Sequence, residues 1–241
     1  MIKIIKIIIS FFDYFTEKKI FDTIHKLLGN EIDLLIDIGA HKGLYFLELQ
    51  KKIKINKIIG FEPNPVIYKI LEKNISKYSD KIKIYKLATG SKNTNTILNV
   101  NLESSSSSIN SLNHNSKYFK RKFKILNFFG NQKIITPTKI NIIKLDDFIY
   151  ENKIKLIDLL KIDTEGFEYN TLLGISKNLN KIKLIHFEHH FDDMIIKNYK
   201  FSNIHNLLIK NGFIKFFKIK MKFRKSFEYI YINEKLSENM K

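Results

Sequence analysis

The sequence predicts an α/β protein with a doubly wound parallel sheet and a C-terminal antiparallel hairpin. Five apolar runs of strand length are each followed by a segment with helical spacing, the order that right-handed crossovers join into a parallel sheet. Two alternating segments, 213–219 and 227–232, then flank a basic turn and predict the hairpin. With 241 residues, the chain is long enough for one such domain, expected over 31–241 after an N-terminal helical extension over 1–30.

The segment over residues 34–46 has the order strand, loop, helix. Its apolar run ends near Asp37, and Gly39 and Gly43 then enclose a short loop before apolar residues return with helical spacing. Glycine lets the backbone turn sharply and approach a ligand closely, and the following helix would point its free N–H groups at that ligand. The glycine spacing is G-x-x-x-G, whereas a dinucleotide-binding loop has G-x-G-x-x-G, so this loop does not favour a bound pyrophosphate or an NAD enzyme.

Two acidic residues indicate the ligand of this loop. Asp37 stands just before the loop, where its charge would repel a phosphate and attract an ammonium group. Glu62 ends the next apolar run roughly 20 residues after Gly39, which is the distance at which an acid reaches a ribose diol. An ammonium group, a ribose and no phosphate together describe S-adenosylmethionine, which we predict as the cofactor. An ordinary α/β turn with a capping acid is the alternative interpretation.

Composition excludes some kinds of site and weakens one kind of function. The chain has no cysteine, so it can form neither a disulfide nor a thiolate zinc site. Its formal charge of +18 is typical of nucleic-acid-binding proteins. Lysines spread along the chain supply almost all of that charge, and Arg121 and Arg224 are the only arginines. Because arginine usually carries base and phosphate recognition, we expect a solvated lysine surface, and nucleic acid is not the expected partner.

The N-terminal segment predicts a helix. Apolar side chains recur near a 3.6-residue period at Phe11, Phe15, Ile20, Ile24 and Leu28. Residues 1–12 are apolar but too short to span a membrane, and no small-residue cleavage site follows them. We expect a cytoplasmic protein whose N-terminal helix packs on the sheet. The alternative is a helix over residues 1–15 that lies on a membrane surface with its lysines at the headgroups.

The middle of the chain is less regular. The alternating run 82–88 predicts a third strand near an edge of the sheet, and the small residues from Ala88 to Gly90 would let an adenine lie against the backbone. Residues 97–102 alternate and predict an additional strand. Residues 103–135 are rich in serine and then in lysine and aromatic residues, and they predict an insertion or a substrate lid, with a solvated loop as the alternative.

Acidic residues end four of the predicted strands: Asp37, Glu62, Asp163 and Glu188. In open α/β sheets, ligands bind outside the carboxyl ends of the strands. We therefore expect these four carboxylates to gather around one active site.

These motifs together resemble the FkbM family of S-adenosylmethionine-dependent methyltransferases. The resemblance covers about residues 32–192 and is carried by an ordered set of motifs: IDIGAHKGLY at 36–45, FEPNP at 61–65, LDD at 145–147, LKIDTEGFE at 160–168, and EH at 188–189. His41 and Lys42 differ from the family's usual Asn followed by a small or apolar residue.

The resemblance implies a seven-strand, Rossmann-like methyltransferase fold and methyl transfer, commonly to a hydroxyl oxygen. The implied acceptor is a sugar or another small molecule, such as those of polysaccharide biosynthesis. The implied cofactor-binding residues are Asp37, Gly39, Ala40 and Gly43 around the methionine part, Glu62 at the ribose with Pro63 and Asn64 beside it, and Ala88 at the adenine.

Methyl transfer to a hydroxyl group needs a base or a metal, because a protonated aliphatic hydroxyl is a poor nucleophile. The candidate catalytic residues are Asp163, Glu165, Glu188 and His189. We expect Asp163 near the methyl group and Glu188 or His189 as the base. Since His189 and His190 are neighbours on a strand, they point to opposite faces, and at least one is expected to be structural. A divalent metal held by the three carboxylates is an alternative, but such ligands do not demand a metal, and we predict no metal site.

The main alternative function is a nucleic-acid methyltransferase or a basic nucleic-acid-binding protein, which the net charge would favour. The chain lacks the N-P-P-Y type of motif associated with methylation of amino groups on bases, and it lacks an arginine-rich face. The expected partner is therefore a small hydroxyl acceptor.

Overall fold

The computed structural model describes residues 2–78, 80–101, 107–111, 113, 115–117, 119–120 and 135–237, and for residues 2–10, 101, 135 and 237 it describes the backbone alone. The region 103–135 therefore lies largely outside the described residues. Its interpretation as an insertion or a lid stays a prediction.

Helices and strands alternate along most of the chain. In order they are α1 (Ile2–Leu28), β1 (Glu31–Ile38), α2 (Leu44–Leu49), β2 (Lys54–Phe61), α3 (Pro65–Ile75), β3 (Ile82–Tyr85), β4 (Ala88–Thr89), β5 (Thr94–Asn101), β6 (Ile135–Ile143), α4 (Leu145–Glu151), β7 (Ile157–Ile162), α5 (Glu168–Gly174), β8 (Ile182–His190), α6 (Phe201–Lys210), β9 (Phe213–Lys220), β10 (Ser226–Asn233) and α7 (Glu234–Ser237). Short 3-10 turns cover Ser76–Tyr78 and Leu179–Lys181.

Seven strands form the main sheet in the order β3-β2-β1-β7-β8-β10-β9. The first five are parallel to one another, and β10 pairs antiparallel with both β8 and β9. All six residues of β7 are buried, as expected for a central parallel strand that is covered on both faces. The predicted doubly wound seven-strand sheet with a terminal hairpin is confirmed, and β3 lies at the predicted edge.

The predicted third strand is too long. It ends at Tyr85, and Ala88–Thr89 belong instead to a separate three-stranded sheet of order β4-β6-β5. There Ala88 and Thr89 pair in parallel with Ile142 and Ile143. Alternation alone does not reveal that a strand has changed partners. The additional strand predicted at 97–102 is confirmed as β5, which pairs antiparallel with β6.

Apolar cores cover both faces of the main sheet. Ile24 of α1, Phe46 of α2 and Leu71 of α3 belong to one core, and α4, α5 and α6 pack into the other. The predicted N-terminal helix is confirmed and packs on the sheet, because Ile24 is fully buried. No helix in the described part of the chain is long and apolar enough to cross a membrane.

Candidate functional site

A cavity of about 620 Å³ lies at the carboxyl ends of the parallel strands, between the sheet, α1 and α2. Its size falls within the range of small-molecule sites. Residues from β1, β2, β4, β7, β8 and β10 line it, together with residues of both helices and of the turn between β9 and β10. The cavity therefore lies where open α/β sheets bind their ligands.

Gly39 brings the loop after β1 very close to the ends of both neighbouring strands, β2 and β7. Its φ angle is +79°, and the Gly39 and Ala40 N–H groups both donate to the Phe61 carbonyl oxygen, at 2.9 and 3.0 Å. A Cβ atom at Gly39 would lie 1.8 Å from the Asp163 carbonyl oxygen. Any side chain here would displace the loop, so the position requires glycine.

Ala40 and Gly43 pack on the side of this loop that faces away from the cavity. Ala40 is buried in the core, and Gly43 has a φ angle of +79° and precedes α2. A Cβ atom at Gly43 would lie 2.7 Å from the Phe46 ring and 2.8 Å from Leu71. Gly39 lines the cavity, whereas Ala40 and Gly43 are not among the lining residues.

Glu62 presents a fixed carboxylate to the cavity. Its two oxygens accept the N–H groups of His41 and Asn64, each at 2.8 Å. Burial raises the pKa of Glu62 to about 7, although these two hydrogen bonds lower it in part. Each carboxylate oxygen keeps a free lone pair, so Glu62 can still accept hydrogen bonds from two hydroxyl groups of a ligand.

Three further predicted cofactor residues lie on the same wall. Pro63, Asn64 and Ala88 all line the cavity. The Asn64 side chain caps α3, because its oxygen accepts the N–H groups of Val66 and Ile67 at 3.0 and 3.4 Å. This cap explains why the chain turns directly after Glu62 and holds that carboxylate at the strand end.

Asp37 lies beside this wall but does not line the cavity. It is buried, and neither of its carboxylate oxygens has a hydrogen-bond partner among the described residues. Burial raises its pKa to about 6, against the opposing effect of Lys161, its neighbour on β7. Asp37 is therefore a buried acid without a hydrogen-bond partner in the described residues, an arrangement that costs free energy.

Asp163 and Glu188 face the cavity from two adjacent strands. Asp163 pairs with the buried Lys161 ammonium at 2.9 Å. Burial raises the pKa of Asp163, but Lys161 more than offsets this and holds the pKa below its usual value. Glu188 differs, because its Oε1 has no hydrogen-bond partner among the described side chains and backbone groups, and burial together with Glu228 and Asp163 raises its pKa to about 8.

The other two predicted catalytic residues have different surroundings. Glu165 lines the cavity and approaches the His190 ring to 3.4 Å. His189 points away from the cavity and contacts the ring of Phe191, with a centroid separation of 4.8 Å, and its Nδ1 lies 3.9 Å from Glu168. The structure thus gathers Asp163, Glu165 and Glu188 at the cavity and leaves His189 outside it. No group of three or more His, Cys, Asp or Glu side chains in the described ranges is arranged to hold a metal ion.

A hydrogen-bonded chain that the sequence did not reveal also borders the cavity. The Tyr45 hydroxyl lies 2.9 Å from His186 Nδ1, and His186 Nε2 lies 2.9 Å from Glu228 Oε2. His186 is two residues before Glu188 and shares its strand face, and Glu228 pairs directly with Glu188 across β8 and β10. The period of two along β8 could have indicated that His186 faces the cavity. The position of Glu228 could not be predicted in this way, because it depends on the register in which β10 pairs with β8.

Helix α1 also contributes to the cavity. Asp13 and Glu17 line it, and Asp13 pairs with Arg224 from the turn between β9 and β10 at 2.6 Å. Of the described residues that line the cavity, eight are acidic, and the only lysine and arginine are Lys161 and Arg224. The interior of the site is thus acidic, although the chain as a whole carries a net charge of +18.

A family model and a curated relative match this chain. The family model described as the Methyltransferase FkbM domain matches residues 37–215. The curated methyltransferase sdnD of Sordaria araneosa is 26% identical over 159 residues, which is 59% of this chain and 60% of that protein. This chain therefore spans about 60% of the length of that relative.

Two solved structures share the fold. The methyltransferase FkbM of Methylobacillus flagellatus has a TM-score of 0.51 and 15% identity, over 83% of this chain and 44% of that chain. The magnesium protoporphyrin IX methyltransferase ChlM of Synechocystis, solved with bound SAM, has a TM-score of 0.52 and 9% identity, over 91% of this chain and 78% of that chain. At these identities the likeness concerns the fold alone.

Proposed function

Since this chain belongs to the methyltransferase FkbM family, we propose that it transfers the methyl group of S-adenosylmethionine to a hydroxyl oxygen of a sugar or another small molecule. One observation carries the proposal: Glu62 lines one side of the cavity, which we call the first wall, and Asp163 and Glu188 line another side of the same cavity, the second wall. Donor and acceptor can then occupy one enclosed space, and holding two reactants together in this way is a large source of rate enhancement.

The residues of the first wall fit the donor. Gly39 lines the cavity, and its close packing against the Asp163 backbone holds the loop where its own backbone can face a ligand. Glu62 has free lone pairs for the two hydroxyl groups of a ribose, and Ala88 adds a small apolar surface. The unsatisfied carboxylate of Asp37, close to this loop, favours the positive charge of the donor's methionine part.

The residues of the second wall fit a hydroxyl acceptor. Bound S-adenosylmethionine supplies a methyl group that its sulfonium already activates. When ionised, Glu188 can accept the hydroxyl proton, because its Oε1 accepts no hydrogen bond from the described residues and its raised pKa makes it a stronger base than an ordinary carboxylate. The His190 Nε2 atom lies 3.6 Å from this oxygen. Asp163, fixed by Lys161, can accept a hydrogen bond from the acceptor and orient it.

The acidity of the cavity supports a neutral or cationic acceptor over an anionic one. The ionised acids among the eight acidic side chains that line the cavity, such as Asp163 with its lowered pKa, would repel the phosphates of a nucleic acid that entered the site. The positive net charge favours nucleic-acid binding only at the outer surface, far from the reacting groups. A nucleic-acid methyltransferase is therefore the weaker candidate.

Calorimetric titration with S-adenosylhomocysteine tests the donor site. We expect micromolar binding to the wild type and at least tenfold weaker binding to Glu62→Ala, because the ribose loses its acceptor. Glu72→Ala, on the exposed side of α3, removes the same charge and should bind as the wild type does. Since Glu62→Ala also frees two N–H groups, Glu62→Gln serves as a second variant, and unfolding curves establish that each protein is folded.

A folded wild type that does not bind S-adenosylhomocysteine would contradict the proposal. If binding is found, methyl transfer is measured on a panel of neutral sugars, amino sugars and other hydroxyl compounds. Glu188→Gln should then lower turnover by about 10²–10⁴-fold with little change in donor affinity, as expected for loss of a general base. Turnover that is unchanged in this variant would exclude Glu188 as the base.

A further inference from the structure

Exposed aromatic side chains cluster on the outer side of α1 and on the adjacent turn of the hairpin. Phe11, Tyr14, Phe15 and Phe223 are 57%, 60%, 46% and 66% exposed, and we call them the aromatic patch. The rings of Phe11 and Phe15 are 4.8 Å apart, and Phe12, whose ring lies 5.4 Å from that of Phe223, connects the helix to the turn. Two elements far apart in sequence thus present one contiguous apolar surface.

Cations accompany the aromatic patch. Lys18 and Lys19 are exposed one turn further along α1, and Lys222 and Lys225 are exposed on either side of Phe223. The acids of the same stretch of α1 face the cavity, although Glu17 is also exposed. Asp13 and Glu17 line the cavity, and Asp13 pairs with Arg224 there. The helix therefore has an acidic inner side and an outer side of aromatic rings and lysines.

We propose that the aromatic patch and its lysines dock the protein on the surface of an anionic lipid bilayer. Aromatic rings enter the boundary between headgroups and acyl chains, and lysines near an anionic surface are attracted to its headgroups. The sequence of α1 before Phe11 extends this character, with apolar residues interrupted by Lys3 and Lys6. The contact is peripheral, because no described helix is long and apolar enough to span a membrane.

Charge decides between a bilayer and a second copy of the chain as the occupant of this surface. Two copies that each carry a net charge of +18 repel one another, and lysines flank the aromatic patch on both copies. An anionic bilayer is attracted by the same lysines and accepts the rings without needing a complementary shape.

Docking would place the cavity beside the bilayer. The elements that carry the aromatic patch also form one end of the cavity, because Asp13, Glu17, Met221 and Arg224 line it. An acceptor held at the membrane surface would then have a short path into the site. The docking itself does not depend on the proposed chemistry.

Vesicle co-sedimentation tests the docking. The full chain is mixed with vesicles of phosphatidylcholine alone or of phosphatidylcholine with phosphatidylglycerol. We expect binding to the anionic vesicles that is at least tenfold tighter than binding to neutral ones and that weakens as salt is added. The triple variant Phe11→Ser, Phe15→Ser, Phe223→Ser should bind anionic vesicles at least tenfold more weakly than the wild type.

A matched control separates the aromatic patch from exposed apolar residues in general. The triple variant Val66→Ser, Tyr150→Ser, Ile196→Ser changes side chains that are 62%, 84% and 57% exposed elsewhere on the molecule, and it should bind as the wild type does. Thermal unfolding establishes that both variants are folded.

Three results would overturn the proposal. They are a wild type that does not sediment with anionic vesicles, a patch variant that binds as tightly as the wild type, and a wild type that self-associates through the patch, seen by analytical ultracentrifugation, without binding vesicles.

Discussion

Glu188 combines burial with an oxygen that accepts no hydrogen bond from the described residues, and this makes the stability of the protein depend on pH. Its pKa lies near 8, well above the ordinary value of 4.5. The folded protein therefore keeps this proton over a pH range in which the unfolded chain loses it. The stabilising contribution is complete below about pH 4.5 and is lost as the pH rises through 8.

The variant Glu188→Gln should remove this dependence. Between about pH 5 and about pH 8 we expect the free energy of unfolding of the wild type to fall more steeply than that of the variant, so that the variant is the more stable protein at the upper end. Urea unfolding at several pH values measures both slopes, with Glu72→Gln as the surface control. Parallel curves for wild type and variant would show that Glu188 titrates normally.

Single residues also show how far the sequence could predict the site. Gly39 and Glu62, predicted to bind the cofactor, both line the cavity, and their spacing follows from one strand–loop–helix unit and the next strand. His189, a candidate base, lies outside the cavity, because neighbouring residues of a strand face opposite sides and Glu188 faces the cavity. Glu228 could not be identified, since its place beside Glu188 depends on the pairing of β8 with β10.

At the scale of elements, α1 belongs to the apolar core on one face of the main sheet. Ile20, Phe21 and Ile24 pack with Leu35, Leu159 and Ile230 from three strands of the sheet. The helical period of the sequence predicted the helix and the burial of Ile20 and Ile24, but Phe11 and Phe15 of the same predicted stripe are exposed. The period also could not predict that Asp13 and Glu17 would line the cavity. A repeat of 3.6 residues identifies a face and carries no information on what covers it.

The variant Ile24→Ala tests this role of α1. Because Ile24 is fully buried, the substitution should lower the free energy of unfolding by about 2–5 kcal/mol. Tyr14→Ala on the exposed side of the same helix should change it by about 0.5 kcal/mol or less. Urea unfolding gives both values, and a change below about 1 kcal/mol for Ile24→Ala would mean that α1 is only loosely attached.

At the scale of the whole molecule, opposite charges are segregated. The exterior carries the lysines that give the chain its charge of +18, and the cavity is lined mostly by acids. Nucleic acid should therefore bind outside the site, through phosphates alone. Such binding is non-specific and loses affinity steeply with salt.

Titration with a short duplex RNA separates the two surfaces. We expect weak binding that falls by orders of magnitude between about 50 mM and about 200 mM salt, while saturating RNA leaves the affinity for S-adenosylhomocysteine unchanged. Fluorescence anisotropy follows the RNA, and calorimetry follows the donor product. RNA binding that survives in high salt and alters donor binding would favour the nucleic-acid methyltransferase.

The ion pair between Asp13 and Arg224 joins residues 211 positions apart in the chain. At about 5–20 residues per second, the ribosome makes α1 on the order of 10–40 s before the turn that carries Arg224. Throughout that interval the buried side of α1 has no β10 to pack against, and the end of the cavity formed by α1 and the turn does not exist. A nascent chain can assemble β1, β2 and the loop at Gly39 early, but the complete cavity forms only after the hairpin emerges.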